Sequence, residues 1–289
     1  MGRKKEGNKL LRSIDSDKID SALYCHELNQ VCNMFINIGL HDLAQMIYVE
    51  GSKLHAFLSK YQRPVLILPD VDNEQLIWDP EQNVGLSTYD EELTELREFL
   101  PTLKKEALEA IGNISAEHWR IHSHQDVTVG NYIYANDHGG QFSTLPLFTY
   151  GKRRLLNCKS IMPQTCRFIK TSFNRAATFS LGTTKLTVVD AKTKTLPMNG
   201  LTNARLRILV PLQIPPEFRF RLGQETLVPL PDHDIVVIND SFEHQYDNEK
   251  SQDQAAVWLS IDIMHPDLSV EDLKRISSTA YARDLFLTF

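Results

Sequence analysis

The 289-residue chain has no excess of positive charge: 31 Lys and Arg stand against 37 Asp and Glu, a formal net charge of −6. It therefore lacks the electrostatic footprint for gripping phosphate backbones, and nucleic-acid binding is disfavoured. Also missing is any apolar run of about 18 residues, the length that crosses a bilayer. The basic start, Met1-Gly-Arg-Lys-Lys-Glu6, is not followed by the apolar stretch of a secretory signal, and Glu6 stands where a myristoylated Gly2 calls for Ser or Thr. These absences lead to the expectation of a soluble protein without a transmembrane segment, cytoplasmic rather than lumenal. Cysteine is scarce as well. Four residues are too few for a disulfide scaffold at this length, yet they fall in two close pairs, Cys25/Cys32 and Cys158/Cys166.

The rest of the composition, 42% hydrophobic and 24% charged, is that of a globular protein and excludes disorder and collagen. Residues 18 to 60 carry apolar side chains at helical spacing. The segment from Phe35 through Gly39 and Ala44 to Tyr48 resembles the inter-helix turn of a tetratricopeptide repeat: Gly39 lets one helix stop and Ala44 lets the next approach. A lone hairpin cannot form a solenoid, so it is expected to dock on the chain or on a partner. Cys25 and Cys32, seven apart on its first helix, read as small buried side chains. Pro64-Val-Leu-Ile-Leu-Pro-Asp is a short extended run. Thr88-Tyr-Asp-Glu91 reads as a capping box opening a helix with Leu93, Leu96, Leu100 and Leu103 on one face, which Pro101 should kink and which should end near Gly112.

Beyond residue 126 the period changes to two. Thr187–Val189, Arg205–Leu212, Phe218–Leu222, Asp234–Ile238 and Val257–Asp262 read as strands with no helix among them, the pattern of an antiparallel sandwich or barrel. Ser269-Val-Glu-Asp272 reads as a helix start. His122-Ser-His124-Gln-Asp126 is a low-grade metal-ligand candidate, because alternate residues of a strand point the same way, but it reads first as an exposed polar strand or loop.

Three motifs are more specific. Pro197-Met198-Asn199-Gly200-Leu-Thr202-Asn203-Ala-Arg205-Leu-Arg207, Asn239-Asp240-Ser241-Phe242-Glu243-His244 and Asp262-Ile-Met-His265-Pro266-Asp267 occur in order. With Trp78-Asp-Pro80, Gly151-Lys-Arg and Asn157-Cys158…Thr165-Cys166 they resemble the aspartyl/asparaginyl β-hydroxylase family over about residues 65 to 275. The resemblance implies a mainly β fold with helical additions (α+β): a double-stranded β-helix, or jelly roll, preceded by the α-helical hairpin. The expected domains are 1–62 (helical), 63–275 (jelly roll) and 276–289 (tail).

It further implies Fe(II) and 2-oxoglutarate as cofactors, hydroxylation of Asp or Asn side chains, and protein partners such as epidermal-growth-factor-like domains. His244 matches the family's second iron histidine, but Met198 stands at the first. A thioether is a soft, neutral ligand with little affinity for Fe(II). Arg207 and Thr187 match co-substrate positions, whereas Leu209 replaces a histidine and Ala256 an arginine. Cys158 and Cys166 match a disulfide-closed loop near the substrate groove, although cytosolic glutathione would keep them reduced. Asn203, Arg205, Asp240, Ser241 and Asp262 also read as stitches between strands and turns. The expectation is a family member with a degraded iron and co-substrate site that binds a peptide or protein. The alternative is an active dioxygenase with a rearranged site recruiting His122, His124 or Asp126.

Overall fold

The alternating segments pair into two antiparallel sheets whose facing surfaces are both apolar. The computed structural model describes residues 28, 31–32, 34–35, 40–64, 67–68, 71, 74–79, 84–113, 118–122, 140–195, 197–224, 226–227, 230, 235–269 and 271–272. Its strands are β1 (Ile77–Trp78), β2 (Arg120–His122), β3 (Phe142–Thr149), β4 (Lys152–Arg153), β5 (Thr183–Val189), β6 (Arg205–Gln213), β7 (Arg219–Leu222), β8 (Thr226–Leu227), β9 (Val236–Ile238), β10 (His244–Asp247) and β11 (Ala256–Met264). The large sheet runs β1-β9-β6-β11-β5-β3-β2, with β4 added to β3; the small one runs β10-β7-β8. Non-consecutive neighbours such as β6-β11-β5 make this a jelly roll rather than a meander.

The large sheet is buried on both faces. Outward, Leu186, Leu206, Ile208, Val210, Leu259 and Ile261 join the largest apolar cluster, together with helix residues Leu93, Leu96, Leu103 and Ile169 and with Met162. Inward, Phe142, Val189, Leu209, Ala256 and Trp258 meet Phe218, Phe220, Leu222 and Tyr246 of the small-sheet side. Period-two strands send alternate residues to these two cores, which is why β6 and β11 read as almost wholly buried.

The helices are α1 (His41–Lys53), α2 (Asp90–Asn113), α3 (Leu155–Ser160), α4 (Pro163–Thr171) and α5 (Asn174–Thr178). Two expectations need correction. Thr88–Glu91 is not a capping box: residues 84–89 form a 3-10 turn, Thr88 Oγ1 donates to the Gly85 carbonyl at 3.3 Å, and α2 begins at Asp90. Three acidic residues in its first turn, Asp90, Glu91 and Glu92, favour the helix N-terminus instead. Pro101 lies inside α2, which continues to Asn113. The region after residue 126 is not strands alone, because α3 to α5 interrupt it. Glu106 of α2 accepts hydrogen bonds from the Gln164 and Thr165 backbone amides at 2.8 and 2.7 Å, satisfying free N–H groups at the start of α4.

Cys158 of α3 and Cys166 of α4 are joined by a disulfide, with Cα atoms 5.4 Å apart. Oxidising compartments preserve such a bond and cytosolic glutathione opposes it, so mass mapping of alkylated thiols distinguishes the two settings. Toward the N-terminus, Cys32 is free and buried, and packs with Leu28, Ala44, Tyr48 and Phe57. Most of the hairpin's first arm, with Gly39 and Cys25, lies outside the described residues, as do His124, Asp126 and the tail 276–289.

Candidate functional site

Met198 and His244 are direct antiparallel partners. Each backbone amide donates to the other's carbonyl, at 2.9 Å from Met198 and 2.7 Å from His244. Residues opposed in this way project their side chains to the same face, so thioether and imidazole are neighbours. Both are buried. The turn that brings Met198 here depends on Gly200: a Cβ at that position would come within 2.4 Å of Asp240 Oδ2 and 2.6 Å of its carbonyl oxygen. Asn199 Nδ2 donates to the Ser241 carbonyl at 2.9 Å, holding the two motif segments together.

The imidazole has one committed nitrogen. Nδ1 lies 2.9 Å from the Phe242 carbonyl, which only accepts, so Nδ1 carries the proton and Nε2 is left as the potential ligand. Phe220 and Tyr246 stand edge-on to the ring, with centroids 6.3 and 5.7 Å away. Burial pushes the His244 pKa down to about 4 from the ordinary 6.5, against the pull of Asp240. Between those values the unfolded chain binds more protons than the folded one. Stability should therefore fall as the pH drops from about 6.5 to about 4, by on the order of 2–3 kcal/mol from this group. Urea unfolding of wild type and His244→Gln at pH 6.5 and 4.5 checks this, with a shallower loss expected in the variant; parallel losses would contradict it.

Beside this pair lies a buried charge quartet. Arg205 Nη2 meets Asp240 Oδ2 at 2.8 Å and Arg205 Nη1 meets Asp262 Oδ2 at 2.9 Å; Arg207 Nη2 meets Asp240 Oδ2 at 2.9 Å and Arg207 Nε meets Asp262 Oδ1 at 2.7 Å. Burial alone would raise both carboxyls, but the two guanidiniums outweigh it and hold Asp240 and Asp262 below the usual carboxylate range. Arg207 is thus engaged with two structural carboxylates.

The carried-over co-substrate positions line the same inner face. Lys185, Ser260 and Leu209 form one row across β5, β11 and β6, while Thr187 opposes Trp258 and Val189 opposes Ala256. Thr187 Oγ1 is buried without a hydrogen-bond partner among the described residues. Lys185 is half-buried, and burial together with Arg207 pushes its amine down to about 7. Met198, Leu209 and Ala256 all belong to one apolar cluster with Phe142, Phe220, Tyr246 and Trp258. Trp258 packs on Tyr246 at 4.7 Å between centroids, and its indole N–H donates to Ser260 Oγ at 3.1 Å.

This donor set does not fit an iron centre: it offers one imidazole nitrogen beside a thioether, and the described residues contain no cluster of three His, Cys, Asp or Glu placed to hold a metal. Nor does it fit a dicarboxylate well. The charged positions implied for it are Leu209 and Ala256, both fully buried among apolar groups. The backbone of His122 pairs with Phe142 at the edge of the large sheet, and its companions His124 and Asp126 lie outside the described residues.

Lys185, Tyr246 and Trp258 were not legible as site residues. Another feature the sequence hid is a clamp from the N-terminal side. Arg63 pairs with Glu243 at 2.6 Å and lies over the Tyr48 ring at 3.6 Å; Gln62 Nε2 donates to Ser241 Oγ at 2.8 Å. Arg221 also reaches Glu243, at 2.8 Å. The segment holding α1 is thereby fixed to the loop that presents His244.

A family model described as aspartyl/asparaginyl beta-hydroxylase matches residues 85–266, so the clamp residues Gln62 and Arg63 precede the match. Proteins named aspartyl/asparaginyl beta-hydroxylase from Mus musculus and Homo sapiens are each 29% identical over 140 residues, 47% of this chain. The match spans 18% of the length of each. Among solved structures, a Pseudomonas putida prolyl-4-hydroxylase is similar at 10% identity and a TM-score of 0.30, over 58% of this chain and 87% of that one. An oxidoreductase of the 2OG-Fe(II) oxygenase family from Burkholderia pseudomallei is similar at 12% identity and a TM-score of 0.28, over 48% and 74%. These structural likenesses are loose and carry no weight beside the strand pairing itself.

Proposed function

Because the chain belongs to the aspartyl/asparaginyl beta-hydroxylase family, we propose that it keeps the family's jelly roll without a working iron and 2-oxoglutarate centre, and acts by binding a peptide or protein. One observation supports this above others: the three positions where the resemblance calls for His, His and Arg hold Met198, Leu209 and Ala256, and all three lie in a single aromatic-rich cluster. A lost ligand beside an open polar cavity invites a replacement ligand. A lost ligand packed in an apolar cluster does not, because the side chains around it offer no donor to take its place. The quartet of Arg205, Arg207, Asp240 and Asp262 then serves the fold, and a surface rather than the interior serves the partner. An epidermal-growth-factor-like domain is the first partner to try, on the strength of the resemblance.

The test is turnover. With Fe(II), ascorbate, 2-oxoglutarate and an epidermal-growth-factor-like domain, purified protein should form no succinate above the protein-free control. Metal-dependent succinate formation that disappears in His244→Ala would contradict the reading, and would make His122, His124 and Asp126 the next residues to mutate.

A further inference from the structure

The chain is acidic overall, but its charge is unevenly distributed: between Asp137 and Asp190 it contains no Asp or Glu and eight Lys and Arg. Part of this span forms a protruding corner. Tyr150 and Gly151, both at positive φ, turn the chain from β3 into β4, and α3 follows directly. Helix α3 buries Asn157 and Cys158, with Asn157 Nδ2 donating to the Pro146 carbonyl at 2.6 Å, and is tied to α4 by the disulfide. Its other face carries Leu155 and Leu156, 60% and 58% exposed, with Lys159 beside them; Lys152 and Arg154 are exposed just before. None of these three cations makes an ion pair among the described residues. The elements most closely packed on the corner are β3, α4 and α5, and none of them contains an acidic residue.

We propose that this corner, Lys152 to Lys159, docks on an anionic lipid surface, with Leu155 and Leu156 entering the interface and Lys152, Arg154 and Lys159 facing the headgroups. The occupant follows from area and charge. Two half-exposed leucines offer roughly 200 Å² of apolar surface, far below the roughly 800 Å² per partner of a stable protein interface. The same pair is enough for shallow interfacial insertion when a basic cluster supplies the second attraction, since neither signal alone anchors firmly. The segment from Lys152 to Lys159 contains no aromatic residue, and Tyr150 just before it is only partly exposed, so an open platform on which nucleic-acid bases would stack is missing. The disulfide and the Asn157 bond hold the platform rigid, so docking requires no folding step.

Co-sedimentation of the full chain with vesicles tests the proposal. Binding is expected to phosphatidylcholine vesicles containing about a third phosphatidylserine, to be at least tenfold weaker to pure phosphatidylcholine, and to weaken as salt rises. Leu155→Ser/Leu156→Ser and Lys152→Glu/Arg154→Glu should each lower binding at least tenfold without moving the thermal midpoint. Equal binding to both vesicle types would overturn the proposal. So would a leucine variant that binds like wild type, because the cations would then only adsorb to any polyanion. Failure of wild type to bind phosphatidylserine vesicles would overturn it too, and would leave an acidic protein as the better partner for the corner.

Discussion

Asp262→Ala is expected to cost about 3–5 kcal/mol, enough to leave little folded protein at 37 °C. Asp262 is fully buried in the middle of the large sheet and neutralises Arg205 and Arg207 at once, while also accepting from the Thr183 amide and hydroxyl at 3.0 and 2.9 Å. Removing it leaves two guanidiniums facing Asp240 alone. The resulting cost is that of an uncompensated buried charge, which exceeds the net worth of an intact pair. The same quartet sets an acid limit. Because Asp240 and Asp262 have depressed pKa values in the folded state, their stabilisation is present above about pH 4, the ordinary carboxylate range, and is lost as the pH falls toward their folded values. Urea unfolding of wild type and Asp262→Ala measures the cost, and a loss under about 1 kcal/mol would show that the quartet is not a structural keystone.

Met198→His should tighten divalent-metal binding by about 3 kcal/mol, roughly a hundredfold in dissociation constant, without restoring turnover. The new imidazole would project beside that of His244, because the two positions exchange both backbone hydrogen bonds. Co(II) titrations, followed by visible absorption, compare the variant with wild type directly. Turnover should stay absent because the co-substrate would still lack its charged partners, each such hydrogen bond being worth about 1.5–3 kcal/mol. Adding Leu209→His and Ala256→Arg does not repair this cleanly. Both sites are fully buried in the cluster that contains Trp258, so the larger groups would overpack it at a cost of about 1–3 kcal/mol each. Unchanged Co(II) affinity in Met198→His would mean that the two side chains do not converge.

Much of this architecture was legible because the large sheet has two buried faces with strict alternation. Strands β6, β7, β9 and β11 largely coincide with segments picked out by period-two apolar residues, whereas the reading of Thr187–Val189 caught only the last three residues of β5. Helices α3 to α5 were missed because they are only six, nine and five residues long. A signal was nevertheless present: Met162, Cys166, Ile169 and Phe173, all fully or nearly fully buried, recur at spacings of four, three and four. The structural reading of Arg205, Asp240 and Asp262 rested on motif survival, and their ion pairs give it physical content. What pattern reading could not reach was contact across long separations. Arg63 meets Glu243 across 180 residues, and no local period reports such a pair. Trp258 reads simply as one more strand residue until its neighbours Tyr246 and Phe218, at 4.7 and 5.8 Å, place it inside the roll.

On the proposed reading, the interior of this jelly roll does not chelate iron together with 2-oxoglutarate. Anaerobic titration of the purified wild-type chain with Fe(II) and 2-oxoglutarate tests it most directly, through the metal-to-ligand charge-transfer absorption that a chelated pair produces. No saturable band is expected at any ratio of metal to protein. A saturable band in wild type that is lost in His244→Ala would contradict it.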